Sequence, residues 1–410
     1  MAVSPLTDEA GSGVCFARGF SAGVAAANIR GGADADRLDV AVIAADRPCT
    51  AAGVFTQNQV KAAPVVISAL TLRRGSPIWA VVINSGNANA CTGSQGLRDT
   101  LRTATVAAEV LHRDPAEVLV CSTGVIGRPM PMERLAGGIR EAASRRNADA
   151  GDVAAQAIMT TDTVPKVATA SFFVDGVEHR VGGMAKGAGM IHPNMATLIV
   201  LVTTDAAVAP EDLQPALREV AESSFNSITV DGDTSTNDTL LILASGAAGG
   251  ECLTPGSEGH SALGAAILEV CESLAEQVVA DGEGATKHFR VTVSGAASDA
   301  QARAGARAVC SSPLVKTAIH GADPNWGRIV AALGRSGAEF TLDRCRVAIA
   351  GTDVLLRGAP VDADLNAISE AFRAKRIDID IDLGAGPGAA HAWGCDLTAE
   401  YVSINADYTT

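Results

Sequence analysis

Residues 183–204 read GMAKGAGMIHPNMATLIVLVTT. A glycine-rich stretch containing one proline runs directly into an apolar, β-branched run that begins with Thr197. The run predicts a buried β-strand, and the glycines predict a tight turn before it. One interpretation is a turn that leads into a core strand. The other is that Thr197 is a nucleophile, exposed when the chain cleaves its own Ala196–Thr197 bond.

The second interpretation has a chemical rationale. A threonine hydroxyl is a weak nucleophile and needs a base beside it. Cleavage by an N-to-O acyl shift and hydrolysis would leave Thr197 with a free α-amino group, whose pKa is about 7.7–8.0. Nucleophile and base would then belong to one residue. The γ-methyl group of threonine restricts χ1 and therefore the direction of the hydroxyl.

Apolar, β-branched runs on both sides of this segment predict further strands, at 38–45, 78–83, 118–121, 168–174, 240–243 and 289–293. Helical patterns lie between them, at 99–112, at 132–146 and after Pro210. One buried helical face is predicted by apolar residues three or four positions apart, at Leu263, Ile267, Val270, Leu274 and Val278. Asp378, Asp380 and Asp382 alternate with isoleucines, which predicts a strand with one wet face. The pattern is that of a mixed α/β protein.

The length of 410 residues predicts two domains, at roughly 100–200 residues per domain. Turn-forming residues cluster between Ser245 and Gly259 without a periodic element. We therefore predict a main domain over residues 1–245 and a smaller α/β region over residues 246–410.

Charge and composition restrict the partners and the location. Acidic side chains exceed basic ones by 14, which disfavours nucleic acid and anionic membranes as partners. No window has the ~18 uncharged apolar residues of a membrane helix, and the N-terminus lacks a signal-peptide pattern, so we expect a cytoplasmic protein. The nine cysteines show no C-x-x-C spacing, which predicts reduced, mostly buried thiols and no metal site.

Several familiar motifs are absent from the sequence. Residues 231–237, DGDTSTN, begin like a calcium loop, but Thr236 replaces the glycine and Ile242 the final glutamate. The glycines of 187–192 do not complete a dinucleotide motif, and no phosphate-binding loop occurs. Ser122 lacks the preceding glycine of a nucleophile elbow. We therefore expect no cofactor.

The segment 186–197, KGAGMIHPNMAT, resembles the cleavage motif of the ArgJ family, the ornithine acetyltransferases (glutamate N-acetyltransferases) of arginine biosynthesis. Further blocks resemble the family in the same order, namely 56–64 TQNQVKAAP, 84–93 NSGNANACTG, 121–127 CSTGVIG, 159–163 MTTDT, 231–237 DGDTSTN, 322–328 ADPNWGR and 405–410 NADYTT. The resemblance runs from near residue 15 to the end of the chain. It favours the nucleophile interpretation of Thr197 over the simple turn.

The resemblance implies a set of site residues. The chain would be cut into an α chain, 1–196, and a β chain, 197–410, and Thr197 would carry the acetyl group. Thr123 and Gly124 would stabilise the oxyanion, and His192 has no catalytic role in this scheme. Substrate would be contacted by Thr163, Lys186, Thr197, Glu283, Asn405 and Thr410. The implied fold is a layered α/β/β/α sandwich with the smaller C-terminal region, assembled as an α2β2 heterotetramer.

The implied reaction is ping-pong transfer of acetyl from N2-acetyl-L-ornithine to L-glutamate, which needs no nucleotide. Three alternatives remain open. The enzyme could also accept acetyl-CoA as a donor, and no residue decides this. A related self-processing aminopeptidase would pass the acyl group to water, but a serine at the cleavage point would be expected there. A structural or binding protein would stay uncut.

Overall fold

The computed structural model describes residues 12–32, 34–192 and 198–407. Its strands are β1 (Phe20–Ala25), β2 (Val40–Phe55), β3 (Ile78–Asn84), β4 (Val118–Ser122), β5 (Lys166–Val174), β6 (Val177–Lys186), β7 (Ile199–Thr204), β8 (Ile228–Thr229), β9 (Thr239–Ala244), β10 (His288–Ala296), β11 (Arg346–Ile349), β12 (Thr352–Leu356), β13 (Ala359–Pro360), β14 (Arg376–Asp382) and β15 (Gly388–Cys395). Its α-helices are α1 (Ala63–Arg73), α2 (Gly93–Leu111), α3 (Met132–Ser144), α4 (Gly151–Ala157), α5 (Pro210–Ser223), α6 (Glu258–Ala280), α7 (Asp299–Cys310), α8 (Pro313–His320), α9 (Trp326–Gly334), α10 (Leu365–Ala371) and α11 (Ala399–Asp407).

The first sheet has the order β4-β3-β2-β9-β7-β6-β5, with β1 paired to β2. The long strand β2 joins two layers, because its first half pairs with β1 and β3 and its second half pairs with β9. The register of β2 against β3 shifts between Ala44 and Cys49, a stretch that contains Pro48. Proline cannot donate to a ladder and is tolerated at such irregularities.

The two layers enclose one core and are each covered by helices on the outside. Apolar residues of β2, β3, β7 and β9 pack between the layers. Helices α2 and α3 cover the outer face of the β2–β3–β4 layer, and α5 and α6 cover the outer face of the β7–β9 layer. This order of layers confirms the predicted α/β/β/α sandwich.

The second sheet has the order β13-β12-β11-β14-β10-β15-β8. Its core is formed with α7, α9 and α10. Strand β14 lies between β10 and β11, with its isoleucines buried and Asp378 exposed, so the predicted wet and dry faces are confirmed. Strand β8 joins this sheet from residues that precede α6, whereas α6 itself packs on β5 and β6 of the first sheet. The predicted boundary after residue 245 stays a prediction.

The predicted strands and helices are present, and the predicted buried face of α6 is confirmed because its five apolar residues are all buried. The sequence predicted that the strand starting near Leu38 ends at Ala45, whereas β2 continues to Phe55. The continuation was not predicted because the apolar pattern is interrupted by three exposed residues, Asp46, Arg47 and Pro48. Seven of the nine cysteines are buried. Within the described ranges, no helix is long and apolar enough to cross a membrane.

Candidate active site

One cavity of about 250 Å³ gathers residues from six of the eight sequence blocks. They are Ala88, Thr123, Gly124, Ile126, Thr160, Thr161, Lys186, Gly189, Met190, Asp231, Asp233, Ser235, Thr236, Asn237 and Asn405, joined by Glu283 and Tyr401 from outside the blocks. Blocks that are far apart in the sequence therefore meet at one place. This is the pattern expected of a functional site on a larger scaffold.

Thr123 and Gly124 follow the end of β4 and form one wall. Gly124 has φ +131°, and a Cβ atom there would lie 2.3 Å from the carbonyl carbon of Gly86. Only glycine fits this position. Within the described part of the chain, the Gly124 N–H donates no hydrogen bond, so it is available to an oxygen bound in the cavity.

Lys186, the last residue of β6, supplies a buried cation. Its Nζ lies 3.4 Å from Thr123 Oγ1 and 3.8 Å from Asp162 Oδ2. Burial lowers the pKa of Lys186, and the Asp162 carboxylate offsets this only in part. A lysine in this setting favours a second anion, such as the carboxylate of a substrate.

Asp162 holds the lysine and its neighbourhood in place. Its carboxylate accepts hydrogen bonds from Lys166 Nζ at 2.8 Å, from the Gly187 N–H at 2.6 Å and from the Thr160 N–H at 2.9 Å. Burial acts to raise the pKa of Asp162, but Lys186 and Lys166 overcome it and hold the pKa well below its ordinary value. Lys166 is fully buried and also donates to Asp281 Oδ2 at 2.6 Å.

Two aspartates anchor the chain on either side of residues 193–197. On the upstream side, Asp231 accepts from the Met190 N–H at 2.5 Å and from the Ile191 N–H at 2.9 Å. Met190 has φ +55°, a conformation that is uncommon for a residue other than glycine. The clamp by Asp231 therefore stabilises a backbone shape that the local sequence does not favour.

On the downstream side, Asp238 Oδ1 accepts from the Leu198 N–H at 3.3 Å. The Asp238 side chain is fully buried, and its Oδ2 accepts no hydrogen bond of good geometry from the described residues. Burial raises the pKa of Asp238 well above its usual range, against the opposing effect of the Leu198 N–H and the nearby Thr56 hydroxyl. Burial in this position therefore favours the neutral form of the carboxyl group.

The opposite wall of the cavity comes from the C-terminal helix and the loop after α6. Asn405 Nδ2 donates to Glu283 Oε2 at 2.8 Å. A Cβ atom on Gly189 would lie 2.4 Å from the Glu283 carboxyl group, so glycine makes room for that side chain. Burial raises the pKa of Tyr401, and the carboxylates of Asp231 and Glu283 raise it further.

The structure brings five of the predicted site residues together at the cavity, namely Thr123, Gly124, Lys186, Glu283 and Asn405. Thr163 is exposed and is not among the lining residues, and its N–H and hydroxyl both donate to the Asp281 carboxylate. Thr160 and Thr161 of the same block line the cavity instead. Ala196, Thr197 and Thr410 lie outside the described residues. The roles assigned to all these residues stay predictions.

Sequence reasoning missed Asp162, Lys166, Asp231, Asp238 and Tyr401. Tyr401 had a usable signal, because it lies four positions before Asn405 and so on the same face of a helix. Asp162, Asp231 and Asp238 lie within or beside quoted blocks. However, nothing local predicts which lysine or amide a buried carboxylate will meet. In the described ranges, no cluster of three or more His, Cys, Asp or Glu side chains could hold a metal ion.

Comparison with known proteins agrees with the sequence blocks. The model described as "ArgJ family" matches residues 21–410. The chain is 51% identical over 398 residues to the arginine biosynthesis bifunctional protein ArgJ of Symbiobacterium thermophilum, covering 97% of this chain and 98% of that protein. A crystal-structure chain of the bifunctional protein ArgJ of Bacillus halodurans is 44% identical, with a TM-score of 0.50, and covers 51% of this chain and 98% of its own length. A chain of Mycobacterium tuberculosis ornithine acetyltransferase complexed with ornithine is 41% identical, covering 46% of this chain and 96% of that chain with a TM-score of 0.39.

Proposed function

The chain belongs to the ArgJ family, and from that premise we propose that it transfers acetyl from N2-acetyl-L-ornithine to L-glutamate after cleaving itself before Thr197. The observation that carries the proposal is the cavity itself. It combines a free N–H on an obligatory glycine, a buried lysine and a Glu283–Asn405 pair. The anchored residues Ile191 and Leu198 flank the proposed cleavage point.

Self-cleavage would create the nucleophile. The Thr197 hydroxyl attacks the carbonyl carbon of Ala196, the C–N bond breaks, and an ester and a free α-amine result. Water then hydrolyses the ester, leaving a carboxylate on Ala196 and the hydroxyl on Thr197.

Acetyl transfer would follow in two steps. The Thr197 hydroxyl attacks the acetyl carbonyl while its own α-amine takes the proton and passes it to the departing amine of ornithine. Glutamate then attacks the acetyl ester through its amine and restores the hydroxyl. Thr123 and Gly124 would donate to the oxyanion in both steps, and such donors are worth about 2.7–4 kcal/mol each.

Two charged groups would select amino-acid substrates. Lys186 is a buried cation at the cavity wall and suits an α-carboxylate. Glu283, held by Asn405, would meet the side-chain ammonium of ornithine. Thr163 and Thr410 are further substrate contacts implied by the family resemblance. The proposed residue set leaves no step that requires a cofactor.

The test compares Thr197→Ala with Thr197→Ser. We expect the alanine variant to remain a single polypeptide near 41.5 kDa without acetyl transfer. The serine variant should retain part of both cleavage and activity, because it keeps a hydroxyl and would keep the amine. Denaturing gels and mass spectrometry report cleavage, and ornithine release with glutamate as acceptor reports transfer. Full activity of the alanine variant would refute the proposal.

A second donor is the proposed basis of bifunctionality. The relative from Symbiobacterium is named bifunctional, and we propose acetyl-CoA as the additional acetyl donor. Purified protein assayed with glutamate and each donor separately distinguishes one activity from two. We also propose that the α and β chains form an α2β2 heterotetramer located in the cytoplasm. Light scattering of the cleaved protein tests the heterotetramer.

A further inference from the structure

A second cavity, of about 470 Å³, lies outside the proposed active site, between α5, which covers the β7–β9 layer, and α7 of the second sheet. We call it the seam cavity. Its polar and charged lining residues are His192, Glu222, Arg303, Arg307, Ser311 and Ser336. Met190 lines the active-site cavity and His192 lines the seam cavity, so residues two positions apart contribute to the two cavities.

The seam cavity carries more positive than negative charge. Arg303 and Arg307 lie four residues apart on α7, so they share one face of the helix. The nearest carboxylate is Glu222, whose Oε2 lies 3.7 Å from Arg303 Nη1. The other Glu222 oxygen accepts from Asn226 Nδ2 at 2.8 Å. One carboxylate, already shared, faces two guanidinium groups.

Several hydrogen-bond donors of the seam cavity are also without an acceptor among the described residues. The Arg307 guanidinium makes no hydrogen bond or ion pair with any residue in the described ranges, and the buried Arg303 Nε has no acceptor there. Ser336 Oγ accepts from the Ala338 N–H at 3.2 Å, so its own hydroxyl hydrogen remains available. These donors all belong to one cavity.

This arrangement is unfavourable without a counter-anion. Like charges four residues apart on a helix repel each other, and partial burial weakens the hydration that would compensate. Burial lowers the pKa of Arg307; the Glu222 carboxylate opposes this effect, and neighbouring Arg303 adds to it. A guanidinium group presents a planar fork of donors that matches the oxygens of a carboxylate or phosphate.

We propose that the seam cavity binds a compact oxyanionic group, a carboxylate or a phosphate of a small metabolite, between Arg303 and Arg307. The hydroxyl of Ser336 adds a neutral donor. Glu222 limits the affinity, because it competes with the ligand for Arg303. The site is separate from the acetyl-transfer chemistry, so it does not depend on Thr197.

The test is calorimetric titration of the full chain with inorganic phosphate and, separately, with acetate at constant ionic strength. Arg307→Met retains most of the apolar stem and removes the charge, and we expect it to weaken binding about tenfold or more. Arg303→Met should also weaken binding, while Glu222→Gln should tighten it. Poor folding of a variant can only weaken binding. Tighter binding by Glu222→Gln therefore tests the proposal even if one arginine variant folds poorly.

The two probes separate the possible sources of the ligand. Binding of phosphate alone identifies phosphate esters, binding of acetate alone identifies carboxylates, and binding of both supports the shared oxyanion chemistry. Thr197→Ala should bind the probes as the wild type does, so failure of the proposed function leaves this test intact. The proposal is overturned if neither probe binds, or if the arginine variants and Glu222→Gln bind as the wild type does.

Discussion

Replacing Asp162 by alanine should destabilise the protein strongly. Asp162 is buried and is the nearest carboxylate to Lys186 within the described residues. Lys166 would keep its bond to Asp281, but Lys186 would be left as a buried charge without an ion-pair partner among the described residues. Removing one partner of a buried ion pair costs about 3–5 kcal/mol.

Two backbone amides add to that cost. The Gly187 and Thr160 N–H groups both donate to the Asp162 carboxylate and would lose their acceptor. A buried donor left unpaired costs about 1–3 kcal/mol, although such terms are not additive. We therefore take about 3–5 kcal/mol as the expected loss in the free energy of unfolding of Asp162→Ala.

Urea titration followed by circular dichroism measures this loss. Asp46→Ala is the matched control, since Asp46 pairs with Arg47 at 2.8 Å on the exposed surface, where such pairs are worth about 0–1 kcal/mol. Asp162→Asn should fall between wild type and Asp162→Ala, because it keeps an acceptor oxygen and loses the charge. The reasoning is wrong if Asp162→Ala and Asp46→Ala cost the same.

The same carboxylate predicts a pH dependence. The pKa of Asp162 is lowered in the folded state, so its contribution is complete above the unfolded pKa of about 3.9. The contribution is lost as the pH falls from there toward the folded pKa. The stability difference between wild type and Asp162→Asn should therefore shrink in acid. A difference that grows as the pH falls would contradict the lowered pKa.

The remaining predictions concern the cavity walls and are tested by kinetics, with thermal unfolding added for one variant. Gly124→Ala places a Cβ atom against the Gly86 backbone and should lower kcat by about 10²–10³-fold, as loss of one oxyanion donor does; kcat within twofold of wild type would exclude Gly124 from that role. Gly189→Ala meets only the flexible end of Glu283, so we expect an unchanged melting temperature but about 10²-fold lower kcat/KM for N2-acetylornithine. The KM for glutamate should rise with pH below the ordinary lysine pKa of about 10.4, because burial lowers the pKa of Lys186 and only the charged form attracts a carboxylate. For Lys186→Met, the KM for glutamate should not change with pH. A wild-type KM that stays constant up to pH 10 would contradict the role of this lysine.

Local sequence patterns predicted much of the architecture because each depends on a short period. The strand at β3 and the strand at β9 are continuous apolar runs, and β14 alternates because one of its faces is dry. The buried face of α6 follows from residues three or four positions apart. The continuation of β2 was missed because exposed polar residues interrupt its period, and the strand pairs with β9 only beyond them.

The site, too, has residues that the sequence predicted and residues that it did not. The family resemblance predicted that Thr123, Gly124, Lys186, Glu283 and Asn405 act together, and these residues do line one cavity. Neither the family resemblance nor local spacing indicated the carboxylates that hold them. A carboxylate becomes a clamp only through the partner that packing places beside it, as with Leu198 and Asp238.

The sequence by itself determined the mixed α/β class, the faces of individual helices and strands, and the residue types available for acetyl chemistry, because these follow from side chains a few positions apart. Only the tertiary structure decided that β2 joins the two layers, that Asp162 links Lys166 and Lys186, and that α11 reaches Glu283. Those contacts join residues distant along the chain. Burial and charge pairing in the folded protein, rather than local periodicity, determine which of them form.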